Sequence, residues 1–161
     1  MNGKKGLSKR ISREEYYKRI LDALASRSAC SRRKLAAIIV KDDRILATGY
    51  NGAPRGWENC GTDVPCYKDL YGEPSGKISY VCPAVHAELN AIINAAYHGV
   101  SIKGATLYTQ IDPCFWCALA IINAGIKKVV VYGDYTDKHG IEALKKGGVE
   151  VVRIKLEEGK E

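Results

Sequence analysis

The sequence predicts an α/β protein in which helices cover a layered sheet. Near the N-terminus, two apolar runs separated by a short charged turn indicate a β-hairpin. After the hairpin, segments with helical spacing of apolar residues alternate with short β-branched runs, which is typical of a layered α/β sheet. The 161 residues are enough for one domain with a substantial core.

The first predicted element is a helix over residues 13–28. Ser12 and Glu15 form a capping-box pattern at its start. The apolar stripe of this helix is marked by Tyr16, Ile20 and Leu24, with Tyr17 and Leu21 as further members. The hairpin that follows has a strand over residues 35–40, a turn over 41–44 and a returning strand over 45–50.

Residues 52–82, the cysteine-bearing loop, are punctuated throughout by glycine and proline. The sequence predicts a loop without secondary structure here, and a loop of this length is uncommon inside a compact domain. Alternating elements resume after it: helices over 83–97, 113–124 and 137–146, and strands over 105–109, 127–132 and 149–154. His98 follows the first of these helices, where it is expected to cap the helix or lie on the surface.

The predicted organisation is a single domain over residues 13–155, preceded by a basic arm (1–12) and followed by a charged tail (156–161). Residues 1–34 carry eleven Lys and Arg against three Asp and Glu, a net of +8, whereas the rest of the chain has a net of −1. This charge is either a phosphate-attracting surface or an ordinary solvated basic face. No membrane span or secretory signal is recognisable, and the cytoplasm is the expected location.

A metal site is the main functional prediction. His86 and the pair Cys114 and Cys117, which follows Pro113, can supply three ligands to one zinc. We expect His86 in the early part of one helix and both cysteines in the first turn of another, where thiolates are favoured. Three protein ligands leave the fourth tetrahedral position open for water, which is the catalytic arrangement.

Glu88, two residues after His86, is the expected proton carrier. Zinc lowers the pKa of a bound water toward neutrality, and Glu88 can take that proton and deliver it to a nucleobase ring nitrogen before ammonia leaves. Taken alone, a Cys-x-x-Cys pair is often a structural or redox site. The combined pattern, H-x-E followed by P-C-x-x-C, is typical of zinc nucleobase deaminases.

The other cysteines, Cys30, Cys60, Cys66 and Cys82, suit either a closed four-thiolate zinc site or scattered buried thiols. A structural zinc would offset much of the entropy lost in ordering the cysteine-bearing loop.

At these residues the chain resembles the deoxycytidylate (dCMP) deaminase branch of the cytidine deaminase superfamily, over about residues 13–155. The matching segments are Cys30-x-Arg32-Arg33, Ile38–Asp42, Thr48-Gly49-Tyr50-Asn51-Gly52-Ala53-Pro54-x-Gly56, His86–Ile92 and Pro113-Cys114-x-x-Cys117. The resemblance implies a three-layer α/β/α fold with a five-stranded mixed sheet. It also implies zinc held by His86, Cys114 and Cys117, with Glu88 as proton shuttle.

The resemblance extends to the substrate and to assembly. It implies that Asn51 contacts the substrate near its sugar and base, with the Ala87 backbone at the pyrimidine edge and Tyr132 flanking the substrate. Cys30 and Cys60 match ligands of a second, structural zinc that some relatives bind, and Cys66 and Cys82 are the candidates to complete it. Relatives are commonly homo-oligomers, often hexamers, and are regulated allosterically by dCTP and dTTP.

Three functions are weighed. The first is a dCMP deaminase that makes dUMP for thymidylate synthesis, with Arg55, Arg32 and Arg33 as candidates to meet the 5′-phosphate. The second is a deaminase acting on a base in tRNA or single-stranded nucleic acid, which the basic N-terminal region would suit. The third is a non-catalytic binding or uptake protein with this fold, against which the intact Glu88 argues.

Overall fold

The computed structural model describes residues 8–134 and 137–155, so the predicted tail (156–161) and most of the predicted arm lie outside the described residues. The described residues form a five-stranded sheet in the order β2-β1-β3-β4-β5. The strands are β1 (Ala36–Lys41), β2 (Arg44–Tyr50), β3 (Thr106–Thr109), β4 (Lys128–Val131) and β5 (Glu150–Arg153). β1 is antiparallel to β2 and β3, whereas β3, β4 and β5 run parallel. The predicted mixed sheet is therefore confirmed.

The hairpin turn is tighter than predicted, because strand pairing continues to Lys41 and Arg44. Asp42 and Asp43 alone make the turn, with φ of 50° and 59°. Two-residue hairpin loops with positive φ match the right-handed twist of the strands, and Asp tolerates that region better than most residues.

The helices lie on both faces of the sheet. They are α1 (Arg13–Ala25), α2 (Tyr67–Leu70), α3 (Ala87–Tyr97), α4 (Phe115–Asn123) and α5 (His139–Lys146). α1 packs on one face against Ile38 and Val40, whereas α3, α4 and α5 share a core with Ile39 and Leu107 on the other. Alternate residues of β1 thus pack against helices on opposite faces of the sheet, as the two-residue period of a strand requires. The three-layer α/β/α prediction is confirmed.

The apolar stripe predicted for α1 is confirmed at four of its five residues and is wrong at Tyr16, since Tyr17, Leu21, Ile20 and Leu24 belong to the apolar cluster beneath the helix. Tyr17, Leu21 and Ala25 are the buried residues, whereas Tyr16 is 49% exposed. α1 also ends at Ala25 rather than at residue 28, because the backbone N–H groups of residues 26–28 bond back to carbonyls of its last turn. Its start is as predicted: the Ser12 hydroxyl accepts a hydrogen bond from the Glu15 N–H at 3.1 Å.

Two helices begin later than the sequence predicts. α3 starts at Ala87 rather than near Pro83, because Val85 exchanges two backbone hydrogen bonds with Gly52 and is therefore extended. α4 starts at Phe115, one residue after Cys114. The cysteine-bearing loop also differs from its prediction, since it contains α2 and a short bridge between Cys60 and Val64.

Among the helices in the described part of the chain, none combines the length and apolar character needed to cross a bilayer.

Candidate active site

The predicted metal ligands lie at the starts of two helices that converge. His86 is the N-cap residue of α3, and Cys114 is the N-cap residue of α4. The expectation that they lie within the first helical turns is therefore wrong by one residue for Cys114 and for His86 alike. Cys117 lies in the first turn of α4, so its sulfur can face the same side as that of Cys114.

The spacing of these three side chains fits a tetrahedral metal ion. His86 Nδ1 is 3.4 Å from Cys114 Sγ and 3.5 Å from Cys117 Sγ. Zinc bonds of about 2.3 Å to sulfur and 2.0 Å to nitrogen imply ligand atoms roughly 3.6 Å apart. Within residues 8–134 and 137–155, no other trio of His, Cys, Asp or Glu brings its ligand atoms within 4.8 Å of one another.

The protonation preferences of the trio also suit a cation. The Cys114 thiolate beside the imidazole raises the pKa of His86. A hydrogen bond from the Cys117 thiol lowers the pKa of Cys114, and the same contact raises the pKa of Cys117. A dication at this place would neutralise both thiolates.

Glu88 lies in the first turn of α3, only 6% exposed. Removal of its carboxylate from water raises its pKa. The Thr109 hydroxyl at the end of β3 donates to Glu88 Oε1 at 3.0 Å and fixes that oxygen. A buried carboxyl with a raised pKa that lines a cavity suits a group that must both accept and release a proton.

His86, Ala87, Glu88 and Cys114 line a cavity of about 140 Å³. Residues of the segment 30–35, residues 51–53 and parts of the cysteine-bearing loop complete its lining. That loop therefore forms part of the wall of the site.

Asn51 lines the cavity, but its amide also has a structural task. Its Oδ1 accepts from the Leu35 N–H at 2.9 Å, and its Nδ2 donates to the Arg33 carbonyl at 2.8 Å. Asn51 thus fixes the segment between α1 and β1 against the start of the loop. Ala87, the other predicted neighbour of the base, is also at the cavity.

The structure does not bring Tyr132 or Arg55 to the cavity. The Tyr132 hydroxyl donates to the Glu14 carbonyl at 2.8 Å, and its ring packs in the apolar cluster beneath α1. Arg55 donates to Asn94 Oδ1 at 3.0 Å, and its guanidinium lies 4.7 Å from the centre of the Tyr97 ring. Local partners on α1 and α3 therefore hold both side chains elsewhere within this chain.

Several cationic residues line the cavity, including two that the sequence reasoning missed. Arg32 and Arg33 lie there as the sequence suggested, and Arg32 pairs with Asp69 at 2.6 Å. Lys68 and Lys77 are the additional ones. Lys68 is 8% exposed, and its Nζ donates to the Lys77 carbonyl at 2.5 Å. The signal that marks Lys68 is burial, which a loop sequence does not reveal.

The four remaining cysteines all line this cavity. Burial raises the pKa of Cys60, and the Cys66 thiol beside it adds to that shift. All six cysteines of the chain are free thiols in the structure. Cys30, Cys60, Cys66 and Cys82 are thus neighbours in space, although no three of their sulfurs lie within 4.8 Å of one another.

Known proteins resemble this chain in sequence and in fold. Residues 11–133 match the sequence model described as the cytidine and deoxycytidylate deaminase zinc-binding region. A deoxycytidylate deaminase of Mycobacterium phage D29 is 42% identical over 122 residues, which cover 73% of this chain and 91% of the phage protein. A deoxycytidylate deaminase of Schizosaccharomyces pombe is 35% identical over 143 residues, covering 88% of this chain.

The chain spans 44% of the Schizosaccharomyces pombe protein, which is therefore much longer than the shared region. Among solved structures, the dCMP deaminase of cyanophage S-TIM5, in complex with dCMP and dUMP, superposes with a TM-score of 0.72. It is 32% identical, and the superposition covers 90% of this chain and all of that one.

Proposed function

The chain belongs to the cytidine and deoxycytidylate deaminase family, and from that premise we propose that it is a zinc-dependent dCMP deaminase. It converts dCMP and water to dUMP and ammonia, and so supplies the substrate of thymidylate synthesis. The observation that carries the proposal is the convergence of His86, Cys114 and Cys117, with His86, Cys114 and the buried carboxyl of Glu88 lining one cavity. The phage relative crystallised with dCMP and dUMP supports the choice of nucleotide.

The residues present suit a catalytic zinc. His86, Cys114 and Cys117 would hold it, and three protein ligands would leave one position for water. Zinc bound there acts as a Lewis acid that makes water acidic near neutral pH.

Glu88 moves the protons. It removes one from the attacking water as the water oxygen bonds to C4 of the base, and it delivers that proton to N3. After the second water proton reaches the amino nitrogen, the C4–N bond breaks and ammonia leaves. Thr109 holds one Glu88 oxygen, so the carboxyl keeps a single orientation during both transfers.

The direct test measures ammonia release from dCMP, CMP, deoxycytidine and tRNA by the zinc-loaded chain. We expect dCMP to be the preferred substrate. Glu88→Gln should lose activity by several orders of magnitude while zinc content is unchanged, because it keeps the shape of the side chain but cannot accept a proton. Conversion of tRNA with no conversion of dCMP would favour a nucleic-acid deaminase instead. A zinc-loaded chain inert toward every substrate would favour a binding protein.

We assign recognition of the 5′-phosphate to the cations that line the cavity. Arg32 and Arg33 remain candidates, and Lys68 joins them because a buried ammonium at a cavity wall can form a charge-assisted bond to phosphate. Lys68→Met should reduce kcat/KM for dCMP by about 10- to 100-fold, the range expected for loss of one charged contact. The same variant should leave deoxycytidine turnover unchanged. Exposed Lys146 of α5, changed to Met, is the control.

The proposal includes a second, structural zinc held by Cys30, Cys60, Cys66 and Cys82. Its support is that all four thiols line one cavity, three of them in a loop that is rich in glycine and otherwise short of regular structure. The four sulfurs would have to close on one ion. Metal analysis should find two zincs per chain, and one in the double variant Cys60→Ser/Cys66→Ser. A single zinc in the unaltered chain would rule this site out.

Assembly and regulation also belong to the proposal. A homo-oligomer is supported by exposed apolar side chains on neighbouring helices α3 and α4, namely Ile93, Tyr97, Trp116 and Leu119. Light scattering should give a mass that is a multiple of 17.7 kDa, with a hexamer as the specific expectation. dCTP and dTTP are proposed as allosteric effectors, which kinetics with each triphosphate would test. The free-nucleotide substrate fits a cytoplasmic enzyme.

A further inference from the structure

Asp112 is a buried acid for which the reaction described above has no use. It lies two residues before Cys114, at the cavity, and is only 1% exposed. Its Oδ1 accepts from Arg153 Nη2 at 2.6 Å, and its Oδ2 accepts from Lys138 Nζ at 2.8 Å. A carboxylate removed from water is tolerated only where cations and hydrogen bonds compensate for its lost hydration.

The partners of Asp112 come from different elements of the C-terminal third. Arg153 ends β5, and Lys138 is the N-cap residue of α5. Arg153 also donates to the Gly133 carbonyl at 2.8 Å and pairs with Asp134 at 3.0 Å. The network therefore joins the segments that follow β3 and β4 to the end of β5. The positive charges of Arg153 and Lys138 balance the negative charges of Asp112 and Asp134. The network therefore adds no net charge beside the cavity.

Close backbone contacts reinforce this network. A Cβ at Gly133 would lie 2.8 Å from the Gln110 carbonyl oxygen, which is nearer than real Cβ atoms come to another atom. A Cβ at Gly140 of α5 would lie 2.9 Å from the carbonyl carbons of Pro113 and Cys114. The turn over residues 110–114 is thus in close backbone contact with two glycines and is ion-paired through Asp112.

The position of the network distinguishes it from an ordinary stabilising ion pair. Arg153 and Lys138 do not line the cavity, yet they fix a side chain only two residues from a proposed metal ligand. Metal sites depend on ligand positions within about 0.2 Å. A small rotation of the turn would move Cys114, and with it the start of α4 and Cys117, away from His86.

We propose that Asp112 is a positioning residue for the metal centre. Its ion pairs with Arg153 and Lys138 hold the turn that carries Cys114, so that the C-terminal unit of β4, α5 and β5 sets the distance between the two sulfurs and His86. This rests on the proposed zinc site, but it does not depend on which nucleotide is the substrate.

The test uses the zinc-loaded full-length chain and three variants. Asp112→Asn removes the charge at constant shape, and Arg153→Gln removes a partner that is partly exposed. Glu150→Gln is the control, because Glu150 lies on the same strand and pairs only at the surface, with Lys128 at 3.5 Å. The measurements are the rate of zinc release to a coloured chelator and the visible absorption of the cobalt-substituted chain, which reports ligand geometry.

We expect zinc release about 10- to 100-fold faster in Asp112→Asn and Arg153→Gln, as is usual when an outer partner of a metal ligand is lost. The cobalt spectrum should change, and kcat should fall more than KM rises. Glu150→Gln should match the unaltered chain. In the double variant the two effects should not add, since both changes break the same contact.

Unchanged zinc release and an unchanged cobalt spectrum in folded Arg153→Gln would overturn the proposal, even if its melting temperature falls, because that result describes a purely structural ion pair. Should Asp112→Asn fail to fold, Arg153→Gln alone decides. Fast zinc release in the variants of a chain that does not deaminate dCMP would contradict the proposed substrate and leave Asp112 as a positioning residue.

Discussion

Gly140→Ala tests how closely α5 must approach the metal-binding turn. At this position a Cβ would lie 2.9 Å from the Pro113 carbonyl carbon and still nearer to its oxygen. A carbonyl oxygen lies about 1.2 Å from its carbon, so the two backbones must separate by about 1.5 Å to restore an ordinary contact. Both groups are main chain, and no side-chain rotation can relieve the overlap.

Two effects of this substitution oppose each other in stability. Alanine in a helix is favoured over glycine by about 1 kcal/mol, whereas overpacking costs about 1–3 kcal/mol. The net change in the free energy of unfolding should therefore be small. The catalytic effect should be large, because a displacement of 1 Å at a reacting centre can reduce the rate by about 100-fold.

Steady-state deamination and zinc release measure this effect. We expect kcat/KM for dCMP to fall at least about tenfold, toward the 100-fold limit, and zinc release to accelerate. Glu142→Ala, an exposed site on the same helix, should change neither quantity by more than about twofold, as is usual for surface positions. Normal zinc retention and normal activity in Gly140→Ala would refute the reasoning that contact with α5 sets the position of Cys114.

Three further predictions concern the core, the pH dependence and the metal. Leu107→Ala, at a fully buried site on the central strand, should lower the free energy of unfolding by about 3–5 kcal/mol in denaturant titrations. Exposed Leu70→Ala should change it by less than about 0.5 kcal/mol. Burial, with a hydrogen bond to Asp43, raises the pKa of Tyr17 to about 12, so the folded state keeps a proton that the unfolded chain loses above about pH 10. Stability should therefore fall as pH rises from about 10 to 12, and this fall should shrink in Tyr17→Phe. Removal of zinc by a chelator should abolish deamination, zinc but not magnesium should restore it, and restoration in His86→Ala would contradict the assignment of that ligand.

The order and type of the main elements could be predicted from sequence, because they depend on local periodicity. The boundaries that matter for the site could not. Pro83 is a plausible helix start on local grounds, yet the pairing of Val85 with Gly52 keeps the chain extended to His86. A contact between residues so far apart in the sequence leaves no local pattern.

The residues of the site also fall into two groups: those that a local sequence pattern marks, and those that only the fold brings together. The spacing of His86, Glu88, Cys114 and Cys117 is itself a chemical pattern, so their convergence could be anticipated. Thr109, Lys68 and Asp112 carry no such pattern, and each matters through a partner that only the fold brings near. Asp112 in particular meets Arg153 across 41 positions of sequence.

His86 and Cys114 have one consequence for the helices that follow them. An N-cap side chain usually accepts a hydrogen bond from a free N–H of the first turn, but neither residue does so here. Both side chains are turned toward the metal position instead. A bound metal ion would link the starts of α3 and α4, which lack this N-cap hydrogen bond. Loss of the metal should therefore unfold the first turns of α3 and α4 before the sheet unfolds.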